Sequence, residues 1–258
     1  MLDRRIVPDC PDGGMIREGE RVDDLQLAGL RILQKDSGFR FGMDAVLLAD
    51  FARVEERDRC ADFGTGTGIL PLLLAGRGKG AHFDAFEIQA DMADMAARSV
   101  RINALEERIA VHNLPVEEAS SAVQPGTLDV IVCNPPYGVP GATLLNPNAA
   151  LSTARHQTEA GLTGWFRMAY QLLRGKGRFN MIYPAPRMLE AMEALKKARL
   201  EPKRFRLIYP HADKPANLVL IEAMKDAKPM LHPEPPLIVY EADGAMTPEL
   251  RRIYHITD

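Results

Sequence analysis

Short apolar runs bounded by turn residues recur through the middle of the chain, and they alternate with segments whose apolar residues return every three to four positions. RCADF at 59–63, HFDAFEI at 82–88, RIAVHN at 108–113 and LDVIVC at 128–133 read as strands, with ILPLLLAGR at 69–77 and ADMADMAARSVRINA at 90–104 as helices between them. Parallel strands can rejoin a sheet only through a crossover, so this rhythm predicts an α/β fold with a mostly parallel sheet covered on both faces. It continues with a helix over Leu162–Leu173, a strand GRFNMIYP at 177–184 and a helix over Arg187–Arg199. Two last apolar runs, Arg204–Tyr209 and Leu218–Met224, lack that spacing and predict an antiparallel C-terminal edge.

Upstream of this pattern the chain reads differently. Residues 1–22 are rich in Pro, Gly and charge and predict a flexible N-terminus, so the expected single domain runs over 23–258. LQLAGLRILQ, from 25, reads as a strand or hairpin bending at Gly29, and Ala45–Val54 as a buried helix. Gly138–Gly161 is long, rich in Pro, Asn, Ala and Thr, and without periodicity. A loop of that length in a compact domain is usually functional or disordered, and its place after a telling motif favours function.

Composition narrows the class of protein. A hydrophobic share of 46% and a charged share of 26%, with no long apolar run, predict a soluble globular protein without a membrane span. The first residues carry two arginines but no apolar h-region, which predicts a cytoplasmic rather than a secreted chain. Cys10, Cys60 and Cys133 have no CxxC spacing, and the six histidines form no HExxH pattern, so free thiols and no metal are expected. A net charge of −3 means that any nucleic-acid contact must be local. The best local candidate is Lys196, Lys197, Arg199, Lys203, Arg204 and Arg206, backed by Arg174, Lys176 and Arg178. A solvated helix face and strand edge would produce the same run.

Candidate chemistry begins at Asp62-Phe63-Gly64-Thr65-Gly66-Thr67-Gly68, which follows a strand and opens a helix. Open α/β sheets bind ligands at that carboxyl edge. Glycines there let a ligand lie against the backbone, although a plain tight turn looks the same. No Lys-Ser or Lys-Thr follows to grip phosphate and magnesium. A dinucleotide fits less well than S-adenosylmethionine, because Asp62 would repel a pyrophosphate but suits the α-amino group of a methionine moiety. On this reading Gly64, Gly66 and Gly68 line the methionine portion, Glu87 accepts from both ribose hydroxyls and Ile88 packs on the adenine. Asn113 and the Leu114 N–H read the adenine edge, with a simple turn residue as the alternative for Asn113.

Asn134-Pro135-Pro136-Tyr137, after LDVIVC, is the sharpest motif. A stiff turn would explain the prolines alone. The chemistry it suits is methylation of a planar nitrogen whose lone pair is delocalised. The Asn134 side-chain oxygen and the Pro135 carbonyl can each accept one N–H, so that the amino group is held and pyramidalises toward the methyl donor. Tyr137 offers a ring for stacking on an extruded base. Adenine N6, cytosine N4 and glutamine N5 all fit.

At these residues the chain resembles the class I Rossmann-fold methyltransferases that methylate amino groups, and most closely the bacterial tRNA1(Val) adenine-N6 methyltransferases. The resemblance runs from Asp24 to Tyr254 and is carried by FRFGMDAVLLADF at 39–51, DFGTGTG, FEIQ, NPPY, ARHQ at 154–157 and KPANLVLIE at 214–222. It implies a seven-stranded Rossmann-like sheet, S-adenosylmethionine as cofactor and adenine 37 of a valine tRNA as acceptor. It also implies that Arg40, Gly42 and Asp44 close over the cofactor's methionine end, where a capped turn before a helix is the plainer reading. Arg155 and His156 match a recurring pair after the active-site loop that contacts the RNA backbone or anchors the loop. Release-factor-type glutamine methyltransferases share NPPY but carry a helical N-terminal domain. DNA adenine methyltransferases would need a target-recognition domain, which is not visible here. A non-catalytic nucleotide-fold module or an oxidoreductase accounts less well for Asp62, Glu87 and Asn134 together. Oligomeric state is not legible.

Overall fold

The computed structural model describes residues 15–36, 42–135 and 159–256, with side chains omitted at 159–161. Its centre is a nine-stranded sheet of order β10-β8-β9-β7-β6-β3-β4-β5, with β11 also paired to β8. The members are β3 (Arg59–Phe63), β4 (His82–Phe86), β5 (Ile109–His112), β6 (Leu128–Cys133), β7 (Leu173–Pro184), β8 (Leu200–Tyr209) and β9 (Leu218–Lys225). β10 (His232–Pro233) and β11 (Leu237–Ile238) are two-residue additions to the edge, which leaves seven strands of ordinary length, as the resemblance implied. β7, β6, β3, β4 and β5 are mutually parallel, and β9 runs antiparallel between β7 and β8.

The central strands are buried on both faces because helices cover both. Ala61, Phe63, Phe83, Ala85, Val130, Ile131, Val132 and Cys133 are all at most 1% exposed, which is why these strands read as apolar runs rather than alternating ones. One face packs on α1 (Met43–Phe51), α2 (Ile69–Gly76) and α6 (Pro248–Ile253). The other packs on a 3-10 helix (Val116–Ser121), α4 (Glu159–Leu172) and α5 (Met188–Lys197). In α2 the residues Ile69–Ala75 are all buried, and Pro71 sits in the first turn, where a missing N–H interrupts no helical hydrogen bond.

The hairpin expected around Gly29 exists, with β1 (Glu20–Asp24) paired to β2 (Arg31–Lys35) and Gly29 at φ +70° in the turn. The expected boundary at residue 22 therefore falls inside a strand. α3 (Ala90–Ile102) supplies the reason. Arg98 grips the Glu20 carboxylate with two nitrogens at 2.6 and 2.7 Å, Ser99 Oγ accepts from Leu33 N, and Asn103 accepts from Arg31 N while donating to its carbonyl. A helix side thus takes the place of a neighbouring strand along the outer edge of β2.

Candidate functional site

Parallel strands bring their carboxyl ends to one edge, and the candidate residues that follow β3, β4, β5 and β6 lie there. Phe63 pairs with Phe86 on one side and Cys133 on the other, so three connections leave the sheet next to one another. The first is the glycine turn. Gly64 N and Thr65 N both donate to Phe86 O at 3.0 and 2.9 Å, and Gly64, Gly66 and Gly68 adopt φ of +73°, +58° and +88°. Those values lie in the left-handed region, so the alternating glycines meet a backbone requirement as well as leaving room.

Glu87 sits at the second exit, 6% exposed, and ties the two connections together. Its carboxylate accepts from Gly66 N and from Gln89 N, each at 2.9 Å. Each oxygen keeps a further lone pair for another donor. Ile88, the next residue, is 68% exposed, an apolar side chain standing free on the rim. Asn113, after β5, donates from Nδ2 to the carbonyls of Glu87 and Ile88 at 2.8 and 3.1 Å, which makes it the brace of this turn. Leu114 corrects the sequence reading: its N–H, expected to meet an adenine edge, donates to His112 O at 3.0 Å.

Asp62 lies beneath the glycine turn, wholly buried, and among the described residues neither carboxylate oxygen has a hydrogen-bond partner. Burial in the sheet pushes its pKa up from 3.8 to about 7. The Thr65 hydroxyl opposes the shift without closing a bond of good geometry, and the Glu87 charge adds to it. Asp44 is 4% exposed in the first turn of α1, and Gly42 caps that helix at φ −98° and ψ 178°, an extended conformation open to any residue.

The third exit carries Asn134 and Pro135. Asn134 is half-buried and Pro135 buried, directly after Cys133. Pro136, Tyr137, Arg40, Arg155 and His156 lie outside the described residues, as does most of the 138–161 loop.

The basic cluster does not join this site. Lys196 and Lys197 end α5, and Arg174 and Lys176 begin β7, which puts them at the amino edge of the sheet, opposite Asn134. Arg174 pairs with Asp129, Arg178 with Asp58 and Arg199 with Asp226. Arg204 is corrected outright. It is 7% exposed, contacts Glu222 at 3.0 Å, Glu234 at 2.7 Å and Phe51 O at 2.8 Å, and lies over the Phe51 ring at 3.8 Å, so it holds β8, β9 and α1 together. Lys203 donates to Lys228 O at 3.0 Å and sits on β8, three strands from β6.

Among the described residues no group of side chains is arranged to hold a metal, and no helix is long and apolar enough to cross a membrane. Sequence reading missed Trp165 of α4, 7% exposed, whose ring meets Phe63 edge-on and stands against Gly64. No motif marks it.

The methyltransferase small domain family matches residues 41–197. The tRNA1(Val) (adenine(37)-N6)-methyltransferase of Tolumonas auensis is 31% identical over 226 residues, covering 84% of this chain and 88% of that protein. Its counterpart from Dyadobacter fermentans is 29% identical over 214 residues, covering 83% and 87%. Among solved structures, a protein described as a predicted O-methyltransferase from Agrobacterium tumefaciens superposes with a TM-score of 0.66 at 24% identity, over 83% of this chain and 96% of that one. P. horikoshii TYW2 in complex with MeSAdo superposes at 0.56 and 15% identity, over 82% and 73%; at such identities both attest the fold alone. The matched family spans the glycine turn, the Glu87 loop and Asn134-Pro135, and the chain belongs to the methyltransferase small domain family, alongside the tRNA1(Val) (adenine(37)-N6)-methyltransferases.

Proposed function

We propose that this chain transfers a methyl group from S-adenosylmethionine to N6 of adenine in tRNA, at position 37 of a valine tRNA as the names of its relatives specify. The observation that carries the reading is the register of Phe63 with Cys133, which sets Asn134-Pro135 beside the glycine turn at one sheet edge.

The residues present fit the cofactor. A buried Asp62 carboxylate without a partner suits an ammonium group, glycines at positive φ let a ligand approach the backbone, and Glu87 keeps acceptor capacity for ribose hydroxyls. Ile88 offers its exposed side chain to the adenine face. Asn113 shapes the turn around that base, and Arg40, Gly42 and Asp44 are the further candidates for the methionine end. When bound, S-adenosylmethionine supplies an electrophilic methyl on a sulfonium.

The chain's own part is to present the nitrogen. Asn134 Oδ1 accepts one N–H of the amino group and the Pro135 carbonyl accepts the other, which turns the lone pair out of conjugation. Pro136 fixes the backbone there, and the Tyr137 ring stacks on the base, a contact of about 1–3 kcal/mol. As the new N–C bond forms, the methyl–sulfur bond would break and leave the neutral thioether of S-adenosylhomocysteine; the nitrogen, made cationic by the methyl group, then releases one of its two protons to water, and no strong general base is required. Arg155, His156 and Lys203 are weaker candidates for RNA contact. A tRNA acceptor and the free, buried thiols of Cys60 and Cys133 fit a cytoplasmic enzyme.

The test is to incubate the protein with radiolabelled S-adenosylmethionine and either tRNA or release factors from a host lacking the gene, then digest. Label in N6-methyladenosine is the expected result. Label in glutamine would replace the tRNA reading with the protein-methyltransferase one.

A further inference from the structure

α4 is the first described element after the segment that follows Asn134-Pro135, and two adjacent residues in it touch both halves of the cofactor edge. Gly164 faces the connection beyond Asn113 and Leu114, where an added Cβ would lie 3.3 Å from Glu117 Oε1. Trp165 faces the glycine turn. A Cβ on Gly64 would lie 3.0 Å from the indole Cη2 and 3.4 Å from Cζ3, and among the described residues, its own chain neighbours aside, only Trp165 comes within 4 Å of that position. The same indole meets the Phe63 ring edge-on, with centroids 6.3 Å apart.

The Gly64–Gly68 turn closes on itself through Gly68 N, which donates to Thr65 O at 3.0 Å, and its Gly68 end lies against Ala96 of α3. Its backbone occupies left-handed angles, and its ties to the neighbouring strand are the two N–H bonds to Phe86 O and the Gly66 bond to Glu87. A rigid indole, buried to all but 7%, packs against the Gly64 end of the turn.

We infer that Trp165 is a positioning residue for the cofactor: its indole sets the Gly64 end of the turn. The inference rests on the proposed reading of this edge as the S-adenosylmethionine site. It gives the only tryptophan of the chain a place within contact of the bound cofactor's turn.

The experiment titrates the full chain with S-adenosylhomocysteine by calorimetry while following tryptophan emission, then repeats the titration with Trp165→Leu and Trp165→Phe. Emission should change saturably at the calorimetric Kd. Trp165→Leu should raise that Kd about tenfold, with a parallel rise in KM for S-adenosylmethionine and kcat at saturation within about threefold of wild type. Trp165→Phe, which keeps an aromatic ring, should recover most of the affinity. A merely structural tryptophan would lower the melting temperature without that split between KM and kcat. Unchanged emission at calorimetric saturation, or a folded Trp165→Leu with a Kd within about twofold of wild type, overturns the inference. If Trp165→Leu does not fold, the wild-type emission and Trp165→Phe decide, the latter expected between about twofold and fivefold weaker and overturning the inference if it equals wild type. Failure of the wild-type chain to bind at all would instead overturn the cofactor reading, and the inference with it.

Discussion

Phe63 and Cys133 are register partners on adjacent parallel strands, so the glycine turn that follows one and the Asn134-Pro135 pair that follows the other leave the sheet side by side. On the proposed reading the methyl donor and the acceptor nitrogen meet at two neighbouring strand ends, whose alignment is set by the hydrogen bonds of the sheet.

That division of labour makes the first prediction. Asn134→Ala removes one of the two acceptors proposed for the amino group and leaves the glycine turn and Glu87 alone. Single-turnover kinetics should show methyl transfer reduced by about 100-fold or more, roughly 2.7 kcal/mol in the barrier, while S-adenosylhomocysteine binds within about threefold of wild type. Weakened cofactor binding with intact transfer would reverse the assignment.

Glu87 has the opposite profile. Its carboxylate holds Gly66 N and Gln89 N, so Glu87→Ala frees two backbone donors as well as removing the proposed ribose acceptor. Cofactor Kd should rise by roughly 10- to 100-fold, with a much smaller change in kcat at saturating cofactor. Glu87→Gln, whose Oε1 can satisfy only one of the two donors without turning its amide toward the other, should fall between the two. A Glu87→Ala chain that binds like wild type would remove this residue from the site.

How much of this was legible depended on whether a residue's partners lie near it in sequence. β3, β4 and β6 are sandwiched between helices, so burial on both faces wrote continuous apolar runs that could be read directly. β1 is ERVDD, which carries no such signal; what orders it is Arg98, far along the chain on α3. The glycine turn and Asn134 were legible because chemistry dictates local spacing there. Trp165 was not, since its contact with Gly64 exists only once α4 has folded across the sheet. Arg204 misled for the same reason. Leu200, Pro202 and Arg204 are the inward positions of a period-two strand, and the acids that neutralise Arg204 are brought to it by β9 and by the segment after β10.

Arg204 therefore makes a prediction about stability rather than RNA. Arg204→Ala leaves Glu222, 4% exposed, without its cation, and removing one partner of a buried ion pair typically costs about 3–5 kcal/mol. Denaturant unfolding should show a loss of that order. The folded fraction should bind tRNA as wild type does. A normally stable variant with weakened tRNA binding would return Arg204 to the RNA interface.

The last prediction concerns pH and follows from Asp62, whose folded-state pKa is raised from 3.8 to about 7, chiefly by burial. A raised carboxyl pKa means that the folded chain holds a proton which the unfolded chain has released. The stability this group contributes is therefore present at low pH, declines as pH rises from about 4 to about 7, and is flat above. Against Asp62→Asn, referenced to the difference near pH 4, the wild type should lose on the order of 4 kcal/mol across that window as an upper bound. Cofactor binding runs the other way. An ammonium group needs the ionised carboxylate, so Kd should improve as pH rises toward about 7, by at most about tenfold per unit, with uptake of cofactor releasing a proton below that pH and no further gain above it. Asp62→Asn should bind more weakly and lose this dependence. Calorimetry in buffers of different ionisation enthalpy reads both the Kd and the released proton. A wild-type Kd that is level across the window, with no proton release, would mean that the buried carboxylate and the amino group of the cofactor do not meet.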